Sequence, residues 1–226
     1  MLRRLFSRFF SGVCAGTLIA VGGSVYLGCR KGMGEVGQIA GAVFFTVALL
    51  CICLQGYSLY TGKIGFIPEK HDGEALSVLF LGLAGNLTAV FLWGLAVRYA
   101  VPNIADAAES VAAAKLTQGF FQTLIRAVLC GILMYLAVAV WRDKGRVVAI
   151  LFCVPTFILA GFEHSIADFF YFSAAAEFTA SMWLFILAAL IGNSLGAMLL
   201  PLLAASGRDR QQRNPARKEK GEQEGS

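Results

Sequence analysis

The chain is 226 residues long, 58% apolar and only 15% charged, with a mean hydropathy of +0.70. A soluble domain carries about 25% charged residues, so this composition excludes a water-soluble globule and places the chain in a lipid bilayer. The net charge of +5 reflects where basic residues flank apolar segments, and needs no nucleic-acid surface to explain it.

In chain order, Leu2, Leu5, Phe6, Phe9 and Phe10 recur at helical spacing, with Arg3, Arg4 and Arg8 between them. That pattern predicts an amphipathic helix over residues 1–10, lying on the inner membrane face. Arginines followed by an apolar run also resemble a secretory signal. No small-residue cleavage site follows, however, and the hydrophobic pattern continues into a further span.

Six apolar segments come next, at residues 11–27, 37–60, 76–97, 118–141, 147–172 and 178–203. Each is close to the ~20 residues needed to cross the hydrocarbon core. Strand-length alternation is absent, so the predicted fold is an all-α membrane domain over residues 11–205, not a barrel. Residues 206–226 are rich in Gln, Arg, Glu and Gly and predict a disordered basic tail.

An even number of spans puts both termini on one side. That side carries Arg3, Arg4, Arg8, Lys63, Lys70, Arg142, Lys144, Arg146 and the basic tail. The other carries Arg30, Lys31, Arg98 and Lys115. Positive residues collect on the cytoplasmic face, which predicts a multi-pass protein of the inner, cytoplasmic membrane with both ends inside. The six cysteines lie mostly within the spans, without metal-ligand spacing, and read as small packing residues.

One of only two histidines, His164, follows Glu163 inside the fifth apolar segment. Ionisable groups at membrane depth are costly and mark a pathway or a site by default. A weak internal repeat surrounds them. Gly56-Tyr57-Ser58-Leu59-Tyr60-Thr61-Gly62 precedes Gly85-Asn86 by about thirty residues, as Gly161-Phe162-Glu163-His164-Ser165 precedes Gly192-Asn193. Three spans per repeat is an odd number, so the halves have opposite orientation. Inverted repeats with interrupted helices place a binding site near the midplane, and unwound backbone is tolerated there only when buried or lining a cavity. Asn86 and Asn193 suit close helix packing and the bonding of carbonyls freed at such breaks.

The run Gly161-Phe162-Glu163-His164-Ser165-Ile166-Ala167, the paired Gly-Asn motifs, Leu59-Tyr60-Thr61 and Lys115 together resemble the formate/nitrite transporter family of pentameric anion channels. The similarity covers residues 9–203. The resemblance implies an aquaporin-like protomer of six helices with the second and fifth broken, one pore per protomer and a homopentamer. It implies that His164 is the histidine at the pore centre and that Thr61 faces it from the interrupted second helix. Phe45, Leu49, Leu59 and Phe157 would form apolar constrictions on either side, and Lys115 would draw anions into the outer vestibule. Two positions depart from the family pattern: Asp168 and Gly131 stand where asparagine is frequent. Asp168 adds negative charge near Lys115.

Physical reasoning supports the same chemistry. A small anion entering an apolar constriction loses hydration at high cost, and a neutral acid loses far less. A vestibule cation raises the local anion concentration, and a buried histidine between two gates can donate to the anion or supply a proton. Glu163 cannot share a helix face with His164 and is expected to anchor the broken backbone. The expected function is passage of small monovalent anions, formate or nitrite first, with protons as a second partner and no cofactor. Hydrosulfide, acetate or lactate are alternatives of the same class. An intramembrane enzyme using Glu163 and His164 as acid and base is a different class, but the chain has no His-Glu-x-x-His motif and no serine in a Gly-x-Ser-x-Gly context. A purely structural scaffold leaves the midplane ionisable groups unexplained.

Overall fold

A computed structural model describes residues 2–212, with side chains as far as Ser206, and the expected tail lies mostly outside the described residues. Among these, the chain is helical throughout: α1 (Leu2–Gln55), α2 (Tyr60–Lys63), a 3-10 turn (Ile64–Phe66), α3 (Gly73–Ala100), α4 (Pro102–Leu116), α5 (Phe120–Lys144), α6 (Val148–Leu159), α7 (Ser165–Ala175) and α8 (Ala180–Gln212). Of the described helices α1, α3, α5 and α8 are long and apolar enough to cross a membrane, and α6 is a shorter apolar helix.

Residues 2–10 form the first turns of α1 and continue directly into its apolar part. The first two apolar segments are both in α1, which is interrupted at Gly34, where φ is 56° and ψ is −129°. A side chain strongly disfavours that conformation, and glycine adopts it freely. The two arms fold back on each other. A Cβ on Gly22 would meet Ala48, one on Gly41 would meet Tyr26, and one on Gly37 would meet the Cys29 carbonyl oxygen.

Two further pairs of helices run side by side at very close range. Gly12 and Gly16 of α1 face Gly82 and Asn86 of α3, and Gly131 of α5 lies against the backbone of Asn193 and Ala197 of α8. Gly192 and Gly196 lie against Leu124 and Val128 in the same way. Small residues let backbones approach where apolar area burial gives no driving force between helices. Gly131 therefore has a packing role here, since any side chain would strike the backbone of α8.

Large apolar side chains point outward, among them Phe44, Phe80, Trp93, Phe121, Phe152 and Trp183. Such a surface is incompatible with water and suits lipid or neighbouring apolar helices. The interior holds the polar groups instead: Thr61, Asn86, Glu163, His164 and Asp168 are all buried.

The segment between the third and fourth apolar stretches contains helix α4. Pro102 occupies its first turn, where the missing N–H costs nothing. Its alanine-rich face packs against α7 and α1, and it carries Lys115 in its last turn. α7 ends at Ala176, with φ 54°, and Arg98 from α3 donates to the exposed carbonyls of Ala174 and Ala175.

Candidate functional site

The second and fifth apolar segments are both interrupted, and the interruptions share one local construction. The α1 helix ends with Gly56 at φ 70°; its N–H bonds the Cys53 carbonyl at 3.2 Å and the Tyr57 N–H bonds the Ile52 carbonyl at 3.0 Å. The α6 helix ends with Gly161 at φ 69°; its N–H bonds the Ile158 carbonyl at 3.2 Å and the Phe162 N–H bonds the Phe157 carbonyl at 2.9 Å. Both are Schellman ends, in which a left-handed glycine closes the last turn. Extended backbone follows, and helix restarts after Leu59 and after His164.

An asparagine from the neighbouring helix closes each break. Asn86 Oδ1 accepts the Tyr60 N–H at 2.9 Å, while its Nδ2 donates to the carbonyls of Ser58 at 2.9 Å and Gly12 at 2.8 Å. Asn193 Oδ1 accepts the Ser165 N–H at 2.9 Å, and its Nδ2 donates to the carbonyls of Glu163 at 2.8 Å and Ala127 at 2.9 Å. Each buried amide satisfies the backbone groups that unwinding sets free, which is the condition for a break at membrane depth.

The two breaks meet side chain to side chain. Thr61 Oγ1 lies 2.8 Å from His164 Nε2, and both residues are buried. The ring's other nitrogen, Nδ1, accepts the Ala167 N–H at 3.2 Å and so caps the start of α7. An acceptor nitrogen carries no proton, so the neutral ring is protonated on Nε2 and donates to Thr61. The Phe157 ring stacks on the imidazole, with centroids 5.7 Å apart and planes inclined by 18°.

Two cavities approach this pair, each of about 210 Å³. One is bounded by Phe157 and His164 and reaches Tyr26, Arg30, Lys115 and Arg126. The other is bounded by Leu49 and Leu59 and reaches Lys63, Trp141 and Arg142. The sequence-derived constriction residues therefore separate: Phe157 lines the first cavity, and Leu49 and Leu59 line the second. Phe45 lines neither of the two and packs across Gly22, a Cβ there being 3.4 Å from its ring.

Lys115 is the centre of a buried ion cluster. Its Nζ contacts Glu163 Oε2 and lies 2.9 Å from Asp168 Oδ1, with the Tyr171 and Phe185 rings 5.9 and 5.7 Å away. Glu163 also accepts from Gln118 Nε2 at 2.8 Å and pairs with Arg126 at 3.9 Å. The Glu163 carboxylate thus turns to the cation, and its main-chain carbonyl, held by Asn193, is what anchors the break. Gln118 and Arg126 were missed from sequence. Their signal was available: two polar side chains at the start of an otherwise apolar span need a partner. Among the described residues no three of His, Cys, Asp or Glu gather in a way that could hold a metal, and the cysteines are free thiols.

These features define a multi-pass helical membrane protein whose two interrupted segments meet at a buried histidine–threonine pair between two cavities. The family described as formate/nitrite transporter matches residues 2–206. The chain is 28% identical to the uncharacterised transporter YrhG of Bacillus subtilis (strain 168), over 74% of this chain and 70% of that one. It is also 28% identical to the formate channel FocA of Escherichia coli (strain K12), over 72% of this chain and 64% of that one. Among solved structures it superposes on an FNT family ion channel with a TM-score of 0.76 at 22% identity, covering 86% of this chain and 87% of that one. A pentameric formate channel with formate bound gives a TM-score of 0.72 at 20% identity, covering 90% and 96%. The chain belongs to the formate/nitrite transporter family, a family of membrane transporters and channels.

Proposed function

We propose that this protein conducts small monovalent anions, formate or nitrite foremost, through a pore in each protomer, with His164 at its centre. The observation that carries this reading is the Thr61–His164 hydrogen bond, with His164 lining one cavity and Leu59 and Gly62, on either side of Thr61 in the chain, lining the other. It presents the Thr61 hydroxyl proton, left free because Oγ1 accepts from Nε2, between the apolar side chains of Phe157, Leu49 and Leu59. An anion stripped of water between Phe157 on one side and Leu49 and Leu59 on the other regains a hydrogen bond at that hydroxyl alone. Such constrictions exclude ions that cannot shed their hydration. Lys115 and the basic residues of the first cavity favour anions over cations.

In the same proposal the six spans form an inverted 3+3 repeat with the second and fifth helices broken. The matched Schellman ends and the matched asparagine bonds at 56–62 and 161–165 support it. Residues 11–205 form the channel domain, preceded by an amphipathic start and followed by a basic cytoplasmic tail. Lysine and arginine placement supports cytoplasmic termini in the inner membrane. The outward apolar faces and the pentameric assembly of the formate-bound relative support a homopentamer.

Reconstitution into liposomes tests the function. Purified protein will accelerate formate or nitrite entry well above empty vesicles. A panel with acetate, lactate and hydrosulfide ranks the substrates. Vesicles holding folded protein that admit none of these faster than bare lipid would contradict the proposal.

A further inference from the structure

Asp168 differs from Glu163, the other carboxylate of the ion cluster. It is 1% exposed, and Lys115 reaches only one of its oxygens, at 2.9 Å; Oδ2 is buried without a hydrogen-bond partner among the described residues. Glu163, by contrast, is fully matched by Lys115, Gln118 and Arg126. Two buried carboxylates therefore share one buried ammonium. The remaining groups facing Asp168 do not add a second close cation. Cys130 on α5 and Tyr171 on its own helix are within electrostatic reach. Tyr26 and Arg30 of α1 line the same cavity, and Arg98 of α3 sits at the other end of α7. On α8 the nearest group to the ammonium is the Phe185 ring.

Burying a bare carboxylate oxygen is expensive, and two ionised carboxylates on one cation repel each other. The proton that relieves both belongs on Oδ2, the unpartnered oxygen of Asp168, a residue that lines the same cavity as Lys115, Phe157 and His164. Resting on the proposed anion pathway, we infer that Asp168 is a proton-operated selectivity element of the anion entrance. Protonated, it is neutral, and the Lys115–Glu163 pair beside it carries no net charge. Ionised, it gives Lys115, Glu163 and Asp168 together one net negative charge and repels anions at the mouth of the constriction. The proton exchanges with water in the cavity, so no other reactant is involved. The entrance accordingly favours anions in acid and rejects them as Asp168 ionises.

The test compares wild type with Asp168→Asn, which keeps the shape and a donor but cannot ionise, and with Asp168→Glu, which can. Nitrite influx into proteoliposomes is measured from about pH 5 to about pH 8, spanning the physiological titration range. Wild-type influx will fall as pH rises, Asp168→Asn will lose that fall, and the ratio of the two will reach about tenfold at the alkaline end, in the range set by a single focused charge. Asp168→Glu will restore the fall. Infrared spectra provide a readout independent of transport: a protonated-carboxyl C=O band in acidic wild type, lost on raising the pH and absent from Asp168→Asn. Identical pH profiles in wild type and Asp168→Asn overturn the inference, and so does a spectrum without that band at acidic pH. Failure of every variant to pass anions, with the band present, contradicts the anion pathway and leaves the proton site standing.

Discussion

Thr61 Oγ1 accepts the Nε2 proton of His164 across 2.8 Å, tying the restart of one broken segment to the restart of the other. The bond is possible because Ala167 N–H occupies Nδ1 and fixes the tautomer. Thr61→Val keeps the side-chain volume and removes the acceptor. A buried donor left unpaired costs about 1–3 kcal/mol. Thermal melting of the detergent-solubilised protein will fall accordingly, and anion influx will fall with it. Unchanged melting would mean that the bond is not made.

The asparagines carry the breaks. Asn193→Ala orphans the Ser165 N–H and the Glu163 and Ala127 carbonyls, and Asn86→Ala does the same to Tyr60, Ser58 and Gly12. Each orphaned group costs roughly 1–3 kcal/mol, partly recovered where water enters. Both variants will lose folded oligomer on size exclusion. Asn→Asp, which retains the acceptor and loses both donors, will be intermediate at either site.

Glycine substitutions separate close packing from backbone conformation. Gly196→Ala drives a Cβ into the Val128 backbone and Gly131→Ala does so at Asn193, whereas Gly28 has open space around its Cβ position. The first two will abolish or strongly reduce assembly, and Gly28→Ala will be silent. Ala176→Gly acts the other way. It relieves a left-handed alanine at φ 54° and is expected to stabilise by up to ~1 kcal/mol, the left-handed strain exceeding the added chain entropy of glycine. Melting temperatures measured side by side check all four.

Much of this was legible in the sequence, and the reasons are local. The polar clusters directly after Gly56 and Gly161 announce broken spans. The apolar runs announce helices in lipid, and every regular element among the described residues is helical. What stayed hidden depends on distance in the fold. Helix α4 lacks the hydropathy of a span, so composition alone passed over it. The carboxylate of Glu163 could have faced any of several directions. Its meeting with Lys115, 48 residues away in sequence, is set by how α4 packs on α7.

That packing changes what a lysine variant reports. Lys115→Ala leaves Glu163 and Asp168 without their common cation, and breaking a buried pair in this way typically costs 3–5 kcal/mol, about the whole margin of a marginal fold. Loss of influx in that variant alone would therefore confuse folding with anion attraction. Lys115→Ala combined with Asp168→Asn removes one carboxylate charge and will regain assembled protein. If Lys115 draws anions in, the assembled double variant will still need a higher anion concentration for half-maximal influx.

At the membrane surface Asp72 caps α3. The Ala75 N–H bonds its carboxylate and holds it below the usual carboxylate range, with Lys70 adding to the effect. A depressed folded-state value means that the cap stabilises above the ordinary aspartate value and is lost as pH falls through the lowered one. An isotope-edited titration will place Asp72 below a model aspartate, and Asp72→Asn, still a good cap, will weaken that acid dependence.

The most direct test of the central claim is formate and nitrite influx into proteoliposomes containing wild type or His164→Asn. Asparagine can still accept the Ala167 N–H and cap α7, so the variant retains the local fold while losing the Nε2 donor. Both proteins, matched for melting temperature and oligomer size, are compared at the same anion gradient. The account predicts rapid, selective influx in wild type and altered selectivity or proton coupling in His164→Asn. Equal rates, selectivity and pH dependence in the two would contradict a pore centred on His164.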